Sequence, residues 1–145
     1  MGITQWLYRT RTLILSGMKS VAGRHPSVQT RVMIVDDDPR FRSLARTLLE
    51  AHGYLVVAEA ADGAEALAAA KLASPDAAVL DVQLPDTDGL VLARTLRETS
   101  NGLRIILTST DPTLVPDAAL AESPALTFVP KDQLAITDLA PWLRA

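Results

Sequence analysis

Apolar and polar positions along residues 31–145 switch between two periods. Short β-prone apolar runs, bounded by turn residues, read as buried strands at Arg31–Val35, Tyr54–Ala58, Asp76–Asp81, Leu103–Thr108 and Ala125–Val129. Helical spacing fills the gaps between them. Phe41, Leu44, Ala45, Leu48 and Leu49 follow the i, i+3, i+4, i+7 rule, with Asp38 as N-cap, Pro39 in the first turn and Gly53 as terminator. Asp62-Gly63 opens an alanine-rich helix to about Leu72, which Ser74-Pro75 breaks. Leu92, Ala93 and Leu96 give the third helix an apolar face. Pro112 and Pro116 lie where a fourth helix belongs, so that helix is expected to be short and to begin near Pro116. Ile136, Leu139, Ala140 and Leu143 predict one face of a fifth helix, with Pro141 disturbing its final turn. Five such alternations imply an α/β fold, a parallel sheet with helices on both faces.

The strand ends carry the chemistry. Arg31–Val35 runs into Asp36, Asp37 and Asp38, the third strand ends at Asp81, and Leu126–Pro130 runs into Lys131. Ligands of open parallel sheets bind outside the carboxyl ends of the strands. Those tips would bring Asp36, Asp37, Asp81 and Lys131 together. Clustered carboxylates need a cation, and hard oxygen ligands without histidine or cysteine suit Mg²⁺. A metal, a carboxylate nucleophile and a lysine together describe phosphoryl chemistry on an aspartate. Neighbouring side chains of an extended chain point to opposite sides. The three consecutive aspartates therefore cannot all face the ion equally, and Asp38 is assigned to the helix cap.

Composition narrows the field. The chain has 145 residues, 48% of them hydrophobic and 21% charged, as expected for one soluble globular domain. It has no cysteine, which excludes disulfides, thiol catalysis and thiolate metal sites. Residues 1–30 hold four bases and no acid, whereas residues 31–145 hold ten bases and seventeen acids. The body is therefore acidic, without the broad basic face that nucleic acid requires. The Leu13–Leu15 run is too short for a spanning helix or a signal-peptide core. Residues 1–30 read as a flexible or non-native leader, with Met18 as an alternative start. Trp6, Leu7, Leu13 and Ile14 with Arg9 and Arg11 form the competing reading, a weak basic amphipathic helix. There is no Walker-type glycine loop and no Gly-x-Ser-x-Gly elbow. His25 and His52 are isolated, and His52 is expected to meet helix-end carbonyls.

The segments Val32–Pro39, Leu80–Leu90, Ile105–Ser109 and Phe128–Lys131, in that order and spacing, resemble the receiver domain of two-component response regulators. The resemblance spans residues 31–145. It implies a flavodoxin-like (βα)5 doubly wound sheet of strand order 2-1-3-4-5. It implies Asp81 as phosphoacceptor and Mg²⁺ held by Asp36, Asp37, Asp81 and the Gln83 main-chain carbonyl. It implies that Lys131 pairs with the acceptor and then with phosphoryl oxygen. Thr108 would donate its hydroxyl to the phosphoryl group, and Phe128 would be the aromatic switch partner, working through packing because it lacks a tyrosine hydroxyl. Ser109 matches the small residue needed for phosphoryl access. Gln83 and Thr110 stand where acyl-phosphate lifetime is tuned, and neither is acidic. Receivers commonly have proline after the lysine; here Pro130 precedes Lys131 and Asp132 follows. That order resembles the receivers of regulators with helix-turn-helix output domains.

The implied function is a cytoplasmic phosphoacceptor that takes its phosphoryl group from a sensor histidine kinase. It would catalyse only its own phosphorylation and dephosphorylation. The helix 4–strand 5–helix 5 face would signal to a downstream protein or to an output domain outside this chain, and a phosphorylation-dependent dimer is a further expectation. No direct contact of this chain with nucleic acid or membrane is expected. Two rival readings stay open: a Mg²⁺-dependent aspartyl-phosphate hydrolase, and a receiver-like interaction module that works without phosphorylation. Whether the chain is a stand-alone receiver or a fragment of a longer regulator also stays open.

Overall fold

A computed structural model of the protein describes residues 29–144. Its strands are β1 (Arg31–Val35), β2 (Leu55–Ala60), β3 (Ala77–Asp81), β4 (Arg104–Ser109) and β5 (Thr127–Pro130). Its helices are α1 (Pro39–Ala51), α2 (Gly63–Ala73), α3 (Gly89–Thr99), α4 (Asp117–Glu122) and α5 (Ala140–Leu143). Single 3₁₀ turns at Pro112–Leu114 and Lys131–Gln133 complete the chain. All strand pairs are parallel and the order is β2-β1-β3-β4-β5, the flavodoxin-like arrangement. The readings made for residues 1–28 lie outside the described residues.

The central strands are apolar on both faces because helices cover both. Met33, Val35, Ala78, Leu80, Ile105 and Leu107 point to one side, where Ala66 and Ala70 of α2 and Leu92, Ala93 and Leu96 of α3 meet them. Val32, Ile34, Ala77, Val79 and Ile106 point to the other, against Phe41, Ala45 and Leu49 of α1 and Leu134, Leu139 and Leu143 of the C-terminal segment. Period-two alternation along each strand sorts the side chains into these two cores.

Local signals explain where the helices start. Asp38 accepts from the Arg40 amide at 2.9 Å with Pro39 opening α1, and Gly53, at φ 91°, lets the chain turn back after it. Asp62 accepts from the Glu65 amide at 2.8 Å while Glu65 reaches back to the Ala61 amide at 2.9 Å. Asp88 caps α3 through the Leu90 amide at 2.7 Å. The His52 ring meets the Leu48 carbonyl at 2.7 Å, as expected.

Four expectations need correction. β2 runs to Ala60 rather than Ala58, because Glu59 is carried on an edge strand where Arg42 and Arg46 neutralise it. β5 begins at Thr127, two residues late, and includes Pro130; an edge position tolerates the missing amide. Leu44 is half exposed. The fifth helix is a single turn, with Ile136 77% exposed and Pro141 in its opening rather than its closing turn. A helix begun at Ile136 would have Pro141 in its interior, losing a hydrogen bond and meeting a carbonyl. The helix instead starts at Ala140, beside a bond from its amide to Asp138 at 3.0 Å.

Candidate functional site

Strand order reverses between β1 and β3, and the crevice at their carboxyl ends is where this topology places a ligand. Asp36 leaves β1 with its amide donating to the Ala60 carbonyl at 3.0 Å. Its side chain is fully buried, and Oδ1 accepts from the Asp38 amide at 2.9 Å. Asp37 is exposed at the mouth. Asp81 closes β3 at 4% exposure, with Oδ1 accepting from the Gln83 amide at 3.2 Å. One carboxylate oxygen from each of Asp36, Asp37 and Asp81 lies within 4.8 Å of the others. Asp38 is not in this group, since it faces the amides of α1.

Lys131 follows β5 directly and enters the same crevice. Its Nζ lies 2.6 Å from Asp36 Oδ2 and 3.4 Å from Asp81 Oδ2, and 4.5 Å from the centre of the Phe41 ring. It thus sits closer to the β1 acid than to the β3 acid. The 2.6 Å contact is an ion pair with angles poor for a hydrogen bond, so Asp36 Oδ2 has a charge beside it but no directed donor. The only other such buried side-chain atom among the described residues is Thr108 Oγ1. Thr108 is fully buried and in register with Asp81 on the neighbouring strand. Ser109 is buried too, its Oγ accepting from the Asp111 amide at 3.1 Å. Phe128 pairs with Leu107, is partly buried, and packs on the apolar cluster that Leu114 and Leu120 also pack against.

Burial pushes the Asp81 carboxyl up to about 6, and the Asp36 charge adds to the rise; the Gln83 amide and Lys131 oppose it. Burial works against the charged Lys131, yet Asp36 and then Asp81 outweigh it and hold its pKa above the ordinary lysine value. Three carboxylates against one ammonium leave two negative charges in excess. The orphaned Asp36 oxygen, the excess charge and an all-oxygen donor set fit a hard divalent cation.

Three features escaped the sequence reading. Gly89 donates its amide to the Val82 carbonyl at 2.7 Å, and a Cβ there would lie 2.6 Å from Val82 Cα, so only glycine lets α3 start against the end of β3. Asp86 accepts from the Gly63 amide at 2.8 Å and the Ala64 amide at 3.0 Å, tying the loop after Asp81 to the start of α2. Arg42 Nη1 donates to the Asp36 carbonyl at 2.6 Å. The loop composition at Pro85–Gly89 hinted at the first two. Nothing in helical periodicity marks the third, since Arg42 reads as a solvated position.

The sequence model of the response regulator receiver domain family matches residues 32–139. Response regulator MprA of Mycobacterium ulcerans is 36% identical over 118 residues, which are 81% of this chain and 50% of that protein. The chain spans about half the length of the curated relatives it matches. A LuxR-family two-component response regulator from Aurantimonas superposes with TM-score 0.65 at 34% identity, covering 72% of this chain and 75% of the other. The response regulator TrrA of Thermotoga maritima, solved in complex with Mg²⁺-BeF, gives TM-score 0.62 at 29% identity, covering 70% and 85%. With the 2-1-3-4-5 sheet and an acidic pocket of Asp36, Asp37 and Asp81 typical of a Mg²⁺ phosphoacceptor site, the chain belongs to the response regulator receiver domain family.

Proposed function

We propose that Asp81 takes a phosphoryl group from the phosphohistidine of a sensor histidine kinase, and that the switch so made is read by a second protein or output domain. The observation that supports this most is the convergence of three carboxylate oxygens beside Lys131 at the switch point of the sheet. Asp36, Asp37 and Asp81, with the Gln83 carbonyl, would hold Mg²⁺, which would supply positive charge for the phosphoryl oxygens. The Asp81 carboxylate attacks phosphorus; the new O–P bond forms as the P–N bond breaks, its electron pair leaving on the imidazole. The Lys131 ammonium, already between the two acids, moves its charge toward a phosphoryl oxygen. The Thr108 hydroxyl, buried and unpartnered on the adjacent strand, gains its acceptor there.

Movement of Thr108 would reopen the packing of Phe128, and through it the α4–β5–α5 face. No residue of α4 is fully buried, so that helix is cheap to displace. A dimer through this face in the phosphorylated state belongs to the same reading, as does a cytoplasmic setting with a kinase partner. Among the described residues no helix is long and apolar enough to cross a membrane. The chain would catalyse only its own phosphorylation and dephosphorylation. Against a hydrolase, whose Asp-x-Asp pair follows the first strand, Asp38 is engaged in capping α1 and does not face the crevice.

Incubation with Mg²⁺ and acetyl phosphate, followed by intact-protein mass measurement, tests the reading. One added phosphoryl mass is expected, absent with EDTA and in Asp81→Asn. Equal labelling of Asp81→Asn would refute the assignment of Asp81. Catalytic turnover of a small phosphate ester, in place of stoichiometric labelling of Asp81, would favour the hydrolase.

A further inference from the structure

Asp36 is held by hydrogen bonds at three of its four polar atoms and by an ion pair at the fourth. Its amide donates to Ala60, Oδ1 accepts from Asp38, Oδ2 lies against Lys131, and its carbonyl accepts from Arg42 at 2.6 Å. The last contact is a charge-assisted bond to a main-chain carbonyl, short and partly buried. The Arg42 side chain is 18% exposed, and its Nε donates to Glu59 Oε1 at 3.1 Å. Glu59 in turn accepts from Arg46 Nε at 2.7 Å, and Arg46 pairs with Glu50 at 3.2 Å. Two arginines of α1 thus share one glutamate on the edge strand, but only Arg42 reaches the acidic loop.

The carbonyl that Arg42 holds belongs to the peptide joining Asp36 to Asp37, so its plane sets where the Asp37 backbone departs. Asp37 is the exposed member of the acidic group. We infer that Arg42 is a positioning residue: it fixes the Asp36–Asp37 peptide so that both carboxylates reach the crevice together, with Glu59 orienting the guanidinium. This inference rests on the reading of the acidic group as a Mg²⁺ site.

Three roles for Arg42 predict three different signs. As a positive charge beside the acids it would repel a cation, so its removal would tighten Mg²⁺ binding. As a structural ion pair it would alter stability and leave the affinity of the folded protein unchanged. As a positioning group its removal weakens Mg²⁺ binding, because the site must order a free peptide on closing around the ion. Arg46→Met supplies the control, since it breaks the other contact to Glu59 without touching Asp36.

Calorimetric titration of the full chain with MgCl₂, well below the unfolding temperature, decides between them. Arg42→Met is expected to weaken Mg²⁺ binding about tenfold, Arg42→Lys less because it keeps the charge and a donor, and Arg46→Met less than about twofold. The Asp37 amide resonance, in the peptide Arg42 holds, should shift in metal-free Arg42→Met and stay in place in Arg46→Met. Should Arg42→Met fail to fold, Arg42→Gln, which lacks both the charge and the reach, decides in its place, an affinity at or above wild type overturning the inference. Unchanged or tighter binding by folded Arg42→Met overturns it as well. Wild type without Mg²⁺ binding overturns the metal-site reading itself, which is a distinguishable result.

Discussion

The two ends of the molecule are built to different standards. Around the acidic crevice, α1, α2 and α3 are 13, 11 and 11 residues long, each with a side-chain cap at its start. The loops between them are cross-tied by Asp86 and Arg42. Past β4 the helices shrink to six and four residues, without side-chain caps, and 3₁₀ turns fill the gaps. Metal and phosphoryl chemistry needs donors held in place, whereas a reporting face needs two arrangements of similar free energy. On the proposed reading, the division of rigidity would follow that division of labour.

Substitutions can break or sharpen this contrast. Gly89→Val forces a side chain into the backbone at the end of β3 and should cost about 4 kcal/mol or more, read as a collapse of the urea midpoint. A near-normal midpoint would mean that the crevice is softer than its packing indicates. Next, Leu96→Ala in the fully buried wall of α3 should lose about 3 kcal/mol, but Leu120→Ala on α4 only about 1 kcal/mol. Equal losses in paired denaturation curves would erase the difference between the two halves.

Asp81→Asn probes the strain stored in the crevice. The Asp81 carboxyl is raised to about 6 in the folded metal-free protein, so below its unfolded value of 3.8 it carries no penalty, and stability is lost as pH rises through 6. The amide has no charge to bury. Metal-free Asp81→Asn should therefore be more stable than wild type by about 2 kcal/mol at pH 7.5 and equal to it near pH 3.5. Thermal melts across that range, with EDTA present, check both ends; a gap that is constant with pH contradicts the argument. An effect as small as that of Leu120→Ala is expected from Asp86→Ala, which frees two amides at the start of α2 for about 1 kcal/mol. Amide exchange should quicken at Gly63 and Ala64 and stay unchanged in α4, and exchange spread evenly over both halves would argue against a local tie.

How far each part was legible follows from the range of the interaction that decides it. Strands β1 and β3, the cap at Asp38 and the helix start at Asp62-Gly63 are set within a few residues, and the apolar runs and their flanking residues show them. The strand-tip acids were legible because parallel topology alone brings carboxyl ends to one rim. Pro112 and Pro116 signalled a short α4 for the same local reason. Ile136 misled because helical spacing does not register that Pro141 ends a helix in one direction and starts it in the other. Glu59 lay outside the expected strand because its partners, Arg42 and Arg46, come from a helix 13 to 17 residues earlier. The closer approach of Lys131 to Asp36 than to Asp81 is a matter of tertiary distance, and sequence spacing does not encode it.

The central claim is that the aspartate ending β3, and no other acid of the crevice, carries the phosphoryl group. Treating the chain with Mg²⁺ and acetyl phosphate, then reducing with borohydride, converts an acyl phosphate to homoserine at the modified position. Peptide sequencing is predicted to find homoserine at position 81 alone. Homoserine at position 36 or 37, or a retained phosphoryl group without homoserine, would contradict the account.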